Sequence, residues 1–334
     1  MRARYGMERS NGGKEMQGQV IDTHAHVIAA DTERYPFTPL GGHQSGWSRE
    51  RPVSFERMIA DMDEAGIAKA ALVQASTCYG YDNSYVADAV AAHPERFTGV
   101  FTVDVTQPDA ANRIRHWMRK RLKGLRVFIA GETAAAKDVR LDDPRSFPAW
   151  ECVGDAGIPV CVQLRAAGLP QLVTVLERFA KVRIVLDHMA RPMLDDGPPY
   201  GAASSLFALR LYPNLYLKLT THNVRESSQG RAKPESFFGR LVEKFGASRI
   251  AWGSNYPASE GTLAGVLAEA HEALAFLSSE DRDWVFFRTA QSLYPVLAEK
   301  TAASANHGHD RPAGRRAAGA PRGTIAGRRR TGRG

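Results

Sequence analysis

Two histidines near the beginning of the chain have a spacing that suits catalysis or metal binding. His24 and His26 lie two residues apart in VIDTHAHV, an apolar run at 20–27. Alternate residues of a β-strand project from the same face, so both imidazoles could reach one metal ion or one anionic substrate. A pair of hydrogen-bonded structural histidines is the competing interpretation. The residues alone leave both interpretations open.

Polar side chains also stand at the ends of later apolar runs, where a ligand could satisfy them. His188 follows Asp187 in VLDHMARP, either as a pocket residue or as a structural histidine of a turn. Arg126 in GLRVFI needs an anionic partner, which is a substrate carboxylate or Asp104. Lys218 in LYLKLT has the same two interpretations. Gln74, Gln163 and Asn255 also stand at the ends of apolar runs and are further candidates for ligand contacts.

These residues recur at intervals because the chain alternates apolar β-type runs with helical stretches. The predicted strands are 20–27, 70–76, 97–103, 124–129, 159–164, 183–188, 215–220 and 249–254. Predicted helices include 55–66, 83–94, 112–121, 169–180 and 235–246, and closing helices follow at 262–278 and 281–299. No Gly-rich phosphate loop follows the first strand, which disfavours a doubly wound sheet. We predict an α/β fold, a (β/α)8 TIM barrel over 19–300 as a single domain, with its site at the carboxyl ends of the strands.

The net charge of +8 is concentrated at the two ends of the chain. Residues 302–334 contain eight arginines and one aspartate, and residues 1–18 contain four basic and two acidic groups, so the part between them is near neutral. We predict a flexible extension at 1–18 and a disordered Arg/Gly/Ala-rich tail at 301–334. Nucleic acid is therefore not the expected partner.

The cysteines and the apolar segments bear on the location of the protein. Cys78, Cys152 and Cys161 are odd in number and lack metal-type spacing, which is typical of reduced thiols. No run is long enough to span a bilayer, and the N-terminal stretch has no apolar signal segment. We predict a cytoplasmic protein without a membrane partner, and the sequence leaves its oligomeric state open.

Three segments taken together resemble the amidohydrolase superfamily: IDTHAHV, VLDHMARP and IAWGSNYP. The sequence is most similar to the branch of 2-pyrone-4,6-dicarboxylate lactonase and related sugar lactonases and lactone isomerases. The resemblance continues through YPFTPLGGH, VQASTCYGYDNS, LKLTTHNVRES and FRTAQSLYP, and it covers about 19–298. It implies a distorted TIM barrel that hydrolyses a small acidic lactone.

The resemblance also implies roles for individual residues. In the family, the paired histidines and a histidine of the sixth strand polarise the scissile carbonyl, directly or through a metal. His24, His26 and His188 match these positions, while Arg126 and Arg225 match positions that hold substrate carboxylates. The predicted substrate-binding set also includes Gln74, Gln163, Lys218 and Tyr79.

Two departures from the family pattern affect the predicted chemistry. Gln163 stands where some members have a lysine that bridges two metals, and Asn255 stands where hydrolytic members have the aspartate that activates water. An amide has no useful basicity near neutral pH and is a poor metal ligand. We therefore expect no metal cofactor. The alternative is one divalent ion, zinc or manganese, on the three histidines.

Three functions follow in order of preference. The first is hydrolysis of the ester bond of a small acidic lactone, with His188 or a neighbouring group replacing the missing aspartate as base. The second is lactone isomerisation, in which a substrate hydroxyl attacks the carbonyl and water is not activated, as Asn255 favours. The third is a non-catalytic binding protein on the same barrel.

Overall fold

Eight parallel strands form the centre of the computed structural model, which describes residues 20–129 and 140–298. Neighbouring strands in the chain are also neighbours in the sheet, in the order β1 to β8. The strands are β1 (Val20–Ala25), β2 (Ile67–Val73), β3 (Phe97–Thr102), β4 (Leu122–Phe128), β5 (Val160–Gln163), β6 (Ile184–Leu186), β7 (Leu215–Thr220) and β8 (Ile250–Gly253). The predicted TIM barrel is confirmed.

Helices alternate with the strands and cover the outside of the barrel. Helix α2 shows the sequence signals clearly, because the Ser54 hydroxyl accepts from the amide of Arg57 at its start and Gly66, at φ 72°, ends it. The α-helices are α1 (Gly46–Glu50), α2 (Phe55–Ala65), α3 (Ser76–Tyr79), α4 (Ser84–Ala92), α5 (Ala110–Arg119), α6 (Phe147–Ala156), α7 (Leu169–Arg178), α8 (Ser204–Ala208), α9 (Thr221–Glu226), α10 (Pro234–Phe245), α11 (Leu263–Ala273), α12 (Ser279–Asp283) and α13 (Thr289–Leu293). None of these helices in the described part is long and apolar enough to cross a bilayer.

Hydrogen bonds join the end of β1 to the residues that follow β8, beside His24. The amide of Asn255 donates to the His24 carbonyl at 2.8 Å, and the amide of His26 donates to the Tyr256 carbonyl at 2.8 Å. Gly253 permits this approach, since a methyl group on it would lie 2.6 Å from the His24 Cβ. The position of His24 therefore depends on β8 as well as on its own strand.

The amino-end half of the barrel interior is apolar and is closed by the end of the described chain. Ile21, Ala71 and Val100 belong there to one buried cluster with Tyr294 and Leu297, which follow α13. Polar side chains fill the other half, toward the carboxyl ends of the strands. The apolar plug therefore leaves the carboxyl ends of the strands as the part of the barrel where polar side chains meet.

Two predicted boundaries need comment. The sixth strand ends at Leu186, so the prediction of a strand to 188 is wrong: His188 has φ 54° and lies in a turn that leaves the sheet. The predicted extension at 1–18 and tail at 301–334 lie outside the described residues.

Candidate active site

Three histidines from two distant parts of the chain meet at the carboxyl end of the barrel. The ring of His24, in β1, lies 4.9 Å from the ring of His26 and 4.9 Å from that of His188. His24 is fully buried, while His26 and His188 each keep 3% of their surface exposed. The fold thus brings the predicted histidines together, and the last two retain access to solvent.

Burial keeps these imidazoles neutral. Desolvation, followed by the charge of Arg126, lowers the pKa of His26 to about 3. Desolvation is also the largest cause that lowers the pKa values of His24 and His188 well below 6.5. The Val73 carbonyl lies 2.7 Å from His26 Nδ1 and can only accept, so the neutral ring carries its proton on Nδ1. Its Nε2 is then an acceptor, although the family pattern predicts a donor to the substrate carbonyl.

Asp187 lies behind the histidines and joins three positive or potentially positive groups. Its carboxylate is 2.9 Å from Lys218 Nζ, 3.3 Å from Arg126 Nε and 3.6 Å from His24 Nδ1. The alternative that paired Arg126 with Asp104 is therefore wrong. Asp104 lies beyond the end of β3 and accepts instead from the Thr106 hydroxyl at 2.7 Å.

The charges around Asp187 are fixed. Burial alone would raise the pKa of Asp187, but Lys218 and His24 outweigh it and hold this pKa well below its usual range. Burial would likewise lower the pKa of Lys218, but Asp187 and Cys161 raise it. Lys218 is fully buried and also donates to Cys161 Sγ at 3.1 Å. Asp187 is consequently a permanent anion and Lys218 a permanent cation at neutral pH.

All three nitrogens of the Arg126 guanidinium have partners within the protein. Nε donates to Asp187, Nη1 donates to the main-chain carbonyl of Gln74 at 3.3 Å, and Nη2 donates to the side-chain oxygen Oε1 of Gln163. The Gln74 side chain in turn donates to the Asp82 carbonyl. Gln74 and Gln163, predicted to bind substrate, are thus observed holding Arg126.

Two other predicted substrate contacts are engaged elsewhere in the structure. Arg225 Nε donates to Glu269 at 2.8 Å, and its Nη2 donates to the Glu260 carbonyl at 2.8 Å. The Tyr79 hydroxyl accepts from the amide of Ala29 at 2.7 Å within the core. Neither contact includes a histidine of the site, and their substrate roles stay predictions.

Asn255 closes the site on the β8 side. Its backbone is left-handed, at φ 56°, and its side-chain amide donates to the Ser259 hydroxyl at 3.3 Å. Asparagine tolerates this conformation better than most residues with a side chain. The backbone of Asn255 is thus bonded to His24, while its side-chain amide is bonded to Ser259.

Comparison with known proteins assigns the chain to a family. The Amidohydrolase family model matches residues 21–296. The chain belongs to this family. The amidohydrolase is 26% identical to an L-fucono-1,5-lactonase from Burkholderia ambifaria over 290 residues, which are 83% of this chain and 95% of that protein.

Two solved structures share the fold of the amidohydrolase. A Pseudomonas putida protein assigned as a 2-pyrone-4,6-dicarboxylic acid hydrolase superposes with a TM-score of 0.69 at 22% identity, covering 84% of this chain and 99% of that one. An amidohydrolase from Burkholderia multivorans with bound zinc superposes with a TM-score of 0.66 at 19% identity, covering 83% and 99%. These likenesses support the barrel.

The residues of the site fit a divalent metal poorly. In 20–129 and 140–298, no group of three or more His, Cys, Asp or Glu side chains is arranged to hold a metal ion. Asp187, the carboxylate beside His24, is already paired with Lys218 and Arg126. A dication would therefore meet Lys218 and Arg126 as well as Asp187. Asp22, the other buried carboxyl group beside His24, accepts from the backbone amides of His24 and Ser254, and β8 offers only the amide of Asn255.

Sequence reasoning missed several residues of this site. Asp187 was visible beside His188, but its pairing with β4 and β7 depends on the barrel. Trp47, in α1, stacks on His26 with ring centroids 5.3 Å apart. Thr220 and Asn223 contact His188 and have a local signal, because Thr-x-x-Asn at a strand end is a capping pattern.

Proposed function

We propose that this amidohydrolase adds water to the ester carbonyl of a small lactone at the carboxyl end of the barrel. The observation that carries the proposal is the cluster of neutral histidines beside the fixed anion Asp187. Neutral imidazoles can accept hydrogens from a bound water. The choice of a lactone is supported by the L-fucono-1,5-lactonase that is 26% identical to this chain.

His188 is the proposed general base. It is accessible, unlike His24, and the charge of Asp187 raises its pKa against the effect of burial, which favours the imidazolium that forms on proton uptake. The water oxygen bonds to the carbonyl carbon as one water proton moves to His188. The same proton then passes to the ring oxygen as the carbon–oxygen bond breaks, which yields a hydroxy acid and restores neutral His188.

Arg126 is proposed to stabilise the oxyanion. Its charge acts on the pKa values of both His26 and His188, so it lies within electrostatic reach of the two accessible histidines. The contacts with Asp187, Gln74 and Gln163 hold the guanidinium before substrate arrives. A cation fixed in advance stabilises developing negative charge without reorganisation.

An acidic substituent on the lactone is the finer part of the proposal. Arg191, three residues after His188, is half-buried. Burial lowers the pKa of Arg191, and the nearby Arg165 lowers it further. A substrate carboxylate would relieve this repulsion. The partner we propose is therefore a lactone that carries a carboxylate. The thiols of Cys78, Cys152 and Cys161 are free, which supports the proposal that the protein is cytoplasmic.

The test is a lactone screen followed by NMR. Protein dialysed against a chelator is incubated with neutral aldonolactones, aldarolactones and 2-pyrone-4,6-dicarboxylate. We expect a ring-opened acid, faster for the acidic lactones, and a loss of about 10²–10⁴-fold in His188→Gln. Absence of turnover on every lactone by a folded protein would favour a non-catalytic binding protein instead. Activity that disappears on chelation and returns with zinc or manganese would overturn the metal-free mechanism.

Asn255 favours a second candidate, lactone isomerisation. A substrate hydroxyl held against the carbonyl needs a weaker base than water does, because the attack is intramolecular. The same NMR experiment would then show a rearranged lactone instead of an acid. In either case Asn255→Asp, which places a carboxylate at the β8 end, should increase water-dependent opening. No gain on any bound lactone would show that this position does not limit water activation.

A further inference from the structure

The turn that carries His188 has an unusual backbone. His188, Met189, Ala190 and Arg191 have φ values of 54°, 54°, 59° and 52°, which place four consecutive non-glycine residues in the left-handed region. Left-handed backbone is unfavourable for a residue with a side chain, because its Cβ then lies too close to the following carbonyl oxygen. Surrounding contacts must therefore hold this turn in place.

Asn223, in α9, supplies one of these contacts. Its side-chain Nδ2 donates to the His188 carbonyl at 2.9 Å, and its Oδ1 accepts from the amide of Thr220 at 3.1 Å. Because one partner can only accept and the other can only donate, these two bonds fix which end of the Asn223 amide is oxygen. Asn223 itself is 1% exposed, so water does not compete for these bonds.

The orientation of Asn223 determines where the Thr220 hydroxyl proton points. The hydroxyl donates to Asn223 Oδ1 at 3.2 Å. A hydroxyl has a single proton, and with that proton on Asn223 Oδ1 the Thr220 oxygen accepts in its other two contacts, which are with the Asn223 backbone amide and with His188 Nδ1 at 2.8 Å. This arrangement of hydrogen bonds calls for a neutral His188 ring with its proton on Nδ1 and a lone pair at Nε2.

We infer that Thr220 and Asn223 are positioning residues that select the Nδ1–H tautomer of His188 and so make its Nε2 the base of the reaction. The inference rests on the proposed function for its catalytic meaning, but the tautomer is a property of the protein alone. In the opposite tautomer Nε2 would carry a hydrogen and could not take a proton from water.

The experiment compares Thr220→Val with Thr220→Ser in protein labelled with ¹⁵N-histidine, with His188→Gln to assign the signal. We expect the Nδ1–H tautomer in the native protein and in Thr220→Ser, and a shift toward Nε2–H in Thr220→Val. We expect kcat to fall about 10–100-fold in Thr220→Val, as for loss of comparable outer contacts, with KM unchanged. Thr220→Ser should keep both the native His188 tautomer and the native kcat.

Thr221→Val is the matched control. The Thr221 hydroxyl is equally buried and donates to the Ser254 carbonyl at 2.7 Å, so its loss should lower stability without changing the His188 tautomer. A native His188 that carries its proton on Nε2 would overturn the inference even if lactones are hydrolysed. The expected tautomer without lactone turnover would support the inference and refute the proposed function. If Thr220→Val does not fold, the tautomer of the native protein still decides.

Discussion

Lys218→Met tests whether the buried charges around Asp187 stabilise the fold as described. Lys218 and Asp187 are both fully buried, with 2.9 Å between Nζ and the carboxylate oxygen. Removal of one partner from a buried ion pair usually costs about 3–5 kcal/mol, because the other charge remains desolvated. Arg126, at 3.3 Å, stays beside Asp187 in the variant. We therefore expect a loss near the lower end, about 3 kcal/mol in the free energy of unfolding.

The measurement is urea unfolding of the native protein, of Lys218→Met, of Asp187→Asn and of the double variant. The double variant should lose clearly less than the sum of the single variants, because it removes both Lys218 and Asp187 and leaves only Arg126 without its carboxylate. A loss below about 1 kcal/mol in Lys218→Met, or additive losses in the double variant, would refute the reasoning.

The pH dependence of the same difference follows from the two pKa shifts. The pKa of Asp187 is lowered on folding, so its contribution is present above the unfolded value of about 3.9 and disappears as pH falls through the folded value. The pKa of Lys218 is raised, so its contribution is present below about 10.4 and disappears as pH rises through the folded value. The stability difference between native protein and Lys218→Met should therefore be constant from about pH 5 to 9.

Three further predictions concern the surroundings of the site. Gly253→Ala places a methyl group 2.6 Å from His24 Cβ, so it should lower turnover and should lower the free energy of unfolding by about 1–3 kcal/mol, measured by urea titration. Gly154→Ala is the control, because its added methyl group would have its nearest contact at 3.3 Å. Arg225→Ala and Glu269→Ala remove the two ends of an exposed pair and should each change stability by less than about 1 kcal/mol. A KM increase confined to Arg225→Ala would restore its predicted role in substrate binding. The pKa of His26 is lowered to about 3 and that of His188 is also lowered, so kcat/KM should not decline around pH 6.5. The free energy of unfolding should decrease below about pH 6.5, because histidines of the unfolded chain take up protons there and the buried rings do not.

Much of the fold could be read from local patterns. The alternation of apolar runs and amphipathic stretches predicted eight strands, and each has a counterpart in the structure. Boundaries were less certain: β6 stops at Leu186 because His188 adopts left-handed backbone, and nothing in LDHMAR, which lacks glycine, signals a left-handed turn. A turn imposed by distant contacts leaves no local trace.

The sequence by itself determined which residues stand at the strand ends, because the order of types along each strand is a local property. His24, His26 and His188 were found in this way. Only the tertiary structure decided their partners. Asp187 pairs with Lys218 and Arg126, and His188 contacts Thr220, because barrel closure brings β4, β6 and β7 together at one end. The protonation state and the tautomer of these histidines depend on those partners and on burial. The sequence alone therefore predicted donors to a carbonyl, and the folded protein was needed to propose acceptors for water.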